Sequence, residues 1–317
     1  MATYKGIHGT KIQNYTSDPA NPLQGQVWYN ATTNGLKYEA PLVGAWVTGN
    51  NLGTARYAFA GAGTQTSALG FGGEPTPTAT ESYNGTNWTA VNNLSTGRKN
   101  LAGVGASNTA ALAFGGNAPP PRSAVTETWN GTNWTEVNDL NSVKKDLAGA
   151  GINTAALAFG GSAPSATAQT ETWNGTNWTE VNDLNTAREY IAGTGTNTAA
   201  LAFGGLPGVA VTELWNGTNW TEVNDLNTAR GRGAASGTNT AALAFGGVPP
   251  SPATGATESW NGTNWTELAD LNTARSGLAG AGPSNTVALG FGGYGVAVTA
   301  ATEEWNITGG VKTIDTD

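Results

Sequence analysis

The chain has 317 residues, enough for one large domain or two ordinary ones. Its 46 Gly and 11% charged residues suggest low complexity, but 12 Trp and 7 Phe supply enough apolar area for a packed core. The net charge of −8, with no basic run, argues against a nucleic-acid binder, and the absence of Cys excludes disulfides, thiolate metal sites and Cys nucleophiles.

The start, Met1 to Asn14, is polar and mixed, with no apolar stretch of a secretory signal. No run approaches the roughly 18 apolar residues of a membrane span. After the breaker cluster Asp18-Pro-Ala-Asn-Pro22, the stretch Gly25 to Asn30 and the stretch Leu36 to Tyr38 flank Asn34-Gly35 and read as a β-hairpin. Residues Gly25, Gln26, Trp28, Tyr29, Asn30, Gly35, Leu36, Lys37, Tyr38, Gly44 and Trp46 resemble a segment found in tail-fibre and other virion proteins of tailed bacteriophages. The match covers about a tenth of the chain. The bland alternative is a hairpin that caps the following domain.

From residue 44 onward the text repeats. Phe-Gly-Gly begins at Phe71, Phe114, Phe159, Phe203, Phe245 and Phe291, and the Trp after a tight turn falls at Trp46, Trp88, Trp134, Trp178, Trp220 and Trp265. A period in the forties with several short strands per copy predicts a propeller blade, and nothing shows helical spacing. One copy divides into Ile191–Gly195, Ala199–Phe203, Val211–Trp215 and Trp220–Val223. The Ala and Gly of the first two strands suit the narrow axis of a ring. The Trp residues of the last two suit the wide gaps between blades. The Asn-Gly-Thr text creates many glycosylation sequons, read here as the positive-φ turn that joins strands three and four.

This pattern resembles the kelch repeat, in which an Arg-bearing turn precedes strand one, Gly-Gly ends strand two, and spaced aromatics mark strands three and four. The corresponding residues are Asn185-Thr-Ala-Arg188, Gly204-Gly205, Trp215 and Trp220, although the tyrosine usual on strand three is retained only at Tyr83. The last copy lacks its fourth-strand Trp, since position 310 is Gly. The expectation is therefore an all-β, six-bladed β-propeller of four-stranded antiparallel blades over residues 44–317, preceded by a lead over residues 1–43. Gly44 to Thr48 would close the last blade and the ring, with Val311 to Ile314 as the competing strand.

Candidate chemistry is sparse. His8 is the sole His, so a Ser-His-Asp triad or a His-ligated metal is not expected, and the Tyr, His and Cys copper site of kelch-bearing galactose oxidases cannot be carried over. Each copy has a Glu on strand three (Glu81, Glu127, Glu171, Glu213, Glu258, Glu303) and a base before strand one (Arg56, Arg98, Lys144, Arg188, Arg230, Arg275). A carboxylate ring for metal or sugar is one reading. The favoured one is a repeated structural contact, Arg to carboxylate or to turn carbonyls, that stitches neighbouring blades, because a catalytic residue need occur only once. The Asn182-Asp183 motif and its copies read as turn caps rather than calcium ligands.

What differs between copies carries more information. The loops after Gly-Gly are unlike one another and often Pro-rich, as are the residues after each base. In a four-stranded antiparallel blade both segments emerge on one face. That face holds the candidate ligand-binding residues Tyr57, Lys99, Asn100, Lys145, Asp146, Glu189, Tyr190 and Arg232. No cofactor or metal is expected, nor nucleic acid or membrane insertion. The phage resemblance implies a non-enzymatic virion protein whose partners are other virion proteins or a host-surface glycan, with homo-oligomerisation left open. The alternative is a cellular lectin or interaction scaffold, cytoplasmic or secreted without a recognisable signal.

Overall fold

The computed structural model describes residues 12–118, 122–206, 208–249 and 252–314. His8 and the loop positions 119–121, 207 and 250–251 lie outside them. Among the described residues all regular structure is β-strand. The chain divides into two compact units: 1–45 with 307–317, and 46–306. The C-terminal residues 307–317 thus group with the lead, where the sequence division had placed them with the repeats.

The larger unit is a β-propeller with four-stranded antiparallel blades. In the most regular of them, Ala192–Gly195, Ala200–Phe203, Thr212–Trp215 and Trp220–Val223 pair in order as a meander. The first three strands begin one residue later than the sequence reading places them, each on a buried residue. Asn216 caps the turn before the last strand by accepting from the amides of Thr218 and Asn219. This is the turn chemistry that the sequon-like text encodes.

The expectation of six equivalent four-stranded blades is corrected. Five sheets have four strands, and the remaining one has six, in the order Gln13–Tyr15, Val27–Asn30, Gly35–Gly49, Thr302–Thr313, Val287–Phe291, Ala279–Ser284. Its first pairing is parallel, unlike any in the repeats. The closing arrangement also differs from a short Gly44–Thr48 strand. Gly35–Gly49 is one continuous strand of 15 residues, and its neighbour Thr302–Thr313, of 12 residues, takes in the rival Val311 segment as well. Gly309 and Gly310 sit inside that strand at positive φ, so the chain passes through the point where a Trp-bearing turn stands in the other copies.

Neighbouring blades are joined by one contact made repeatedly. Trp220 of one blade lies 4.9 Å from Phe159 of the preceding blade, and its indole N–H donates to Thr170 Oγ1 at 3.1 Å. Trp178, Trp134 and Trp265 repeat this on Phe114 and Thr126, Phe71 and Thr80, and Phe203 and Thr212. Trp88 does so on Phe291 and Thr302, and Trp46 on Phe245 and Thr257. The contact therefore runs without a break through all six copies, and the inner strands touch one another in a closed cycle. Those strands are thin because they must be. A Cβ on Gly193 would lie 2.3 Å from Phe159 Cζ, and one on Gly103 would lie 2.4 Å from Phe71 Cζ.

The base and Glu of each copy meet inside one blade and do not stitch neighbouring blades as the sequence suggests, because each base opens the blade whose third strand carries its Glu. Arg98 and Glu127 approach to 2.9 Å, Arg188 and Glu213 to 2.9 Å, Arg230 and Glu258 to 2.6 Å, Arg275 and Glu303 to 2.9 Å, and Arg56 pairs with Glu81. All are buried. The second oxygen of each Glu accepts an amide from the incoming link: Asn185 N–H donates to Glu213 and Asn227 N–H to Glu258, both at 2.7 Å. Removing one member of such a pair strands a buried charge, at a cost of about 3–5 kcal/mol. Arg188 also donates to the carbonyls of Gly204 and Val211, at 2.8 and 2.6 Å, and so ties the end of strand two to the start of strand three. Lys144 stands in one copy where Arg stands in the others, 2.8 Å from Glu171. Its ammonium makes no hydrogen bond to the carbonyls that the flat guanidinium fork of Arg188 reaches.

The smaller unit is organised by Asp18, whose Oδ1 accepts from Trp28 Nε1 at 3.0 Å and Asn30 Nδ2 at 2.7 Å. Asn30 Oδ1 in turn accepts the amides of Thr32 and Thr33, both at 3.0 Å, and shapes the hairpin turn before Gly35. These bonds hold the Asp18 carboxyl below its usual value, Asn30 contributing most, then Trp28. They give Trp28 and Asn30 a structural reason to stand close in the chain.

Two stability outcomes follow from these contacts. Gly193→Ala drives a methyl into Phe159 and should lower unfolding free energy by about 1–3 kcal/mol in a denaturant titration. Lys144→Arg supplies the missing fork toward the carbonyls of Gly160 and Gln169 and should raise the denaturant midpoint by the equivalent of about 1 kcal/mol.

Candidate functional site

In each copy the residue after the buried base pairs with the residue that follows Gly-Gly. Tyr57 bridges Glu74, Lys99 bridges Asn117, Lys145 bridges Ser162, Glu189 bridges Leu206, Gly231 bridges Val248 and Ser276 bridges Tyr294. Most are two-bond bridges, as in Lys99 N to Asn117 O at 3.1 Å and Asn117 N to Lys99 O at 2.7 Å. This short ladder draws the two variable segments of every copy together.

The next residue turns the chain toward the inner strand, and it does so in the left-handed region. Ala58, Asn100, Asp146, Tyr190 and Arg232 have φ between 54° and 57°, and Gly277 has φ 59°. For residues other than glycine this conformation costs about 1–3 kcal/mol and persists only where surroundings impose it. Here the surroundings are one another. Asn100 N–H donates to Ala58 O at 2.7 Å, Asp146 to Asn100 O at 2.9 Å, Tyr190 to Asp146 O at 2.8 Å, Arg232 to Tyr190 O at 3.0 Å, Gly277 to Arg232 O at 2.8 Å, and Ala58 to Gly277 O at 2.8 Å. The six backbones form a closed ring of hydrogen bonds around the propeller axis.

The side chains on this ring line a cavity of about 360 Å³ at one mouth of the central channel. Of the sequence candidates, Tyr57, Lys99, Asn100, Lys145, Asp146, Tyr190 and Arg232 all line it. Glu189 does not. Beneath the ring, Phe59, Leu101, Leu147, Ile191 and Leu278 form an apolar collar, below which a second cavity of about 340 Å³ is walled mainly by Gly and Ala of the inner strands. Beside the mouth, Tyr57, Lys99 and Asn117 also edge a groove of about 950 Å³ whose wall includes Pro75, Pro77, Ala55 and Val298.

Contacts within the mouth are specific. Arg232 lies with its guanidinium carbon 4.0 Å over the Tyr190 ring. Tyr57 and Tyr294 pair at 5.7 Å between ring centroids. Tyr57 Oη donates to Glu74 Oε2 at 2.7 Å, and Lys99 Nζ donates to the other Glu74 oxygen. The Lys99 bond, then the Tyr57 bond, hold the Glu74 carboxyl below its ordinary value, while the carboxylate pushes the Tyr57 phenol up. Asp146 is buried, accepts from Asn100 Nδ2, and has its other oxygen 3.0 Å from Lys145 Nζ. Burial pushes the Asp146 carboxyl up, against the Asn100 and Lys145 bonds that pull it down.

Sequence reasoning left Tyr294 and Glu74 out of the site. Both follow Gly-Gly directly, so the signal was present in the variable loops, but only the bridges to Ser276 and Tyr57 show that this first loop position reaches the mouth. The repeated carboxylates are engaged in the buried pairs described above, and no metal-binding group of three or more His, Cys, Asp or Glu occurs among the described residues. Asp183 and Asp225 accept the amides of Thr170 and Thr212 as strand caps, and Asn182 bonds Thr218 O and Asn219 Oδ1 of the next copy.

The sequence matches no protein-family model, and no curated protein matches it.

Asp146 sets a pH-dependent stability. Its folded pKa lies above the unfolded one, so its ionisation opposes folding above the folded value, and the opposition vanishes below about pH 4, where both states are protonated. Asp146→Asn should therefore melt higher than the wild type at neutral pH, and the difference should close as thermal scans are taken down toward pH 4.

Proposed function

We propose that this chain is a non-enzymatic binding protein whose kelch-like, six-bladed propeller recognises a glycan at the Tyr57–Arg232 mouth, the six-stranded sheet serving as the sixth blade. The observation that carries the reading is the convergence of seven candidate side chains on one mouth, four from the backbone ring and three from the bridges beside it, in copies that otherwise repeat nearly word for word. A rigid frame carrying varied side chains lowers the ordering cost of binding. Tyr57, Tyr190 and Tyr294 offer flat apolar faces suited to sugar CH groups, and Asn100 and Lys145 offer directional polar contacts. The adjoining groove gives room for more than one sugar unit. Catalysis is a poorer reading, because the recurrent carboxylates are held in buried structural pairs.

The setting we propose is a tailed-phage virion, in a tail fibre or another structural component. It rests on the likeness of the lead, from Gly25 to Trp46, to segments of such proteins. The host-surface glycan is then the receptor, and other virion proteins are the remaining partners. Gold-labelled antibody against the chain should decorate purified particles in electron micrographs. Absence of the chain from particles would instead favour a cellular lectin or scaffold.

The binding face is tested by the pair Tyr190→Ala and Arg232→Ala. Alanine is accommodated on the ring at Ala58, so the double variant should keep the wild-type melting temperature. Its signal on a glycan array should fall by about tenfold or more, the equivalent of roughly 1.4 kcal/mol. Unchanged glycan binding would move the site elsewhere.

A further inference from the structure

One cation of the mouth stands without a compensating acid. Lys99, Lys145 and Arg232 line the mouth against one acid, Asp146, although the chain as a whole carries a net charge of −8. Two of these cations are engaged, Lys99 with Glu74 and Lys145 with Asp146. Arg232 has no carboxylate partner among the described residues, and it is exposed.

Nor is Arg232 loosely placed. Its amide donates to Tyr190 O at 3.0 Å and its carbonyl accepts from Gly277 N–H at 2.8 Å, so both sides of its backbone are tied into the ring. Its guanidinium rests on the Tyr190 ring at 4.0 Å. A guanidinium stacked by its face keeps its in-plane N–H groups directed outward, where they can meet two oxygens of one oxyanion with two parallel hydrogen bonds. A second observation points the same way. Asp146, the one acid in the lining, is 4% exposed and held by Asn100 and Lys145, so it is not free to pair with Arg232.

We propose that Arg232 anchors the anionic group, a carboxylate or a sulfate, of an acidic saccharide, with Tyr190 as its support and the Tyr57–Tyr294 pair as the wall for the sugar's apolar face. This rests on the glycan reading above and names the class of glycan. The ligand's charge and Arg232 are then coupled: removing either abolishes most of the affinity, and removing both costs little more than removing one. Neutralising Asp146 lowers the local negative charge and strengthens binding.

The test uses the full chain on an array of sialylated, uronic-acid, sulfated and neutral glycans, with methyl esters of the carboxylated members as neutral isosteres. The expected hits are acidic glycans only, the sialylated and uronic arms or the sulfated arm showing which anion is read. Methyl esterification of a carboxylated hit and Arg232→Gln should each reduce binding by about tenfold, while Asp146→Asn should increase it. Thermal melting confirms that both variants are folded. Equal binding of neutral glycans, or acidic hits indifferent to Arg232→Gln, would overturn the anion anchor and leave the glycan reading standing. Binding of no glycan at all would overturn both.

Discussion

The propeller depends on the indole that each copy wedges against its neighbour. A β-sheet is flat enough to leave a widening gap when sheets are set around an axis, and the gap must be filled with apolar volume. Trp220 fills it against Phe159 and fixes its own rotation by donating to Thr170. The apolar contact supplies the energy and the hydrogen bond supplies the register. Because the same triplet recurs from Trp46 to Trp265, each sheet is positioned by the one before it. The channel mouth exists only because that chain of positions returns to its start.

Two kinds of repeated position emerge. At one kind the side chain performs the structural task, and its identity is restricted. The buried Arg–Glu pairs, the Asn turn caps and the Trp–Thr bonds are of this kind. At the other, the backbone performs the task and the side chain is free to vary. The positive-φ ring is the clearest case: Ala58, Asn100, Asp146, Tyr190, Arg232 and Gly277 all hold the same conformation and the same hydrogen bonds with six different side chains. A propeller built this way can change what it recognises without changing how it stands.

Much of this was legible in the sequence. Strand positions came within one residue in the copy over 191–223, because two-residue alternation, Gly-Gly stops and Asn-Gly turns act over a few residues. The structural role of the Arg and Glu was legible because both recur, but that they meet within one blade and do not stitch neighbours was not. The candidate face was legible from chain order, since antiparallel strands must bring the 2–3 loop and the 4–1 link out together. What escaped was direction. Glu189 and Lys145 occupy equivalent places after their buried bases, yet only Lys145 lines the cavity, and Tyr294 enters through a bridge to Ser276 that no local pattern announces.

The amino-acid order alone determined the strand class, the repeat, the turn chemistry and the residue types that must meet, since these are set by sterics and patterning within a single copy. Tertiary structure alone decided how the last sheet is made and what the mouth presents. The long Gly35–Gly49 and Thr302–Thr313 strands, the parallel pairing of Gln13–Tyr15, and the bond from Trp46 to Thr257 across 211 positions depend on contacts that form only when distant parts of the chain assemble. So does the left-handed backbone of the ring, which no isolated copy could hold, because each member's amide finds its acceptor in the copy before it.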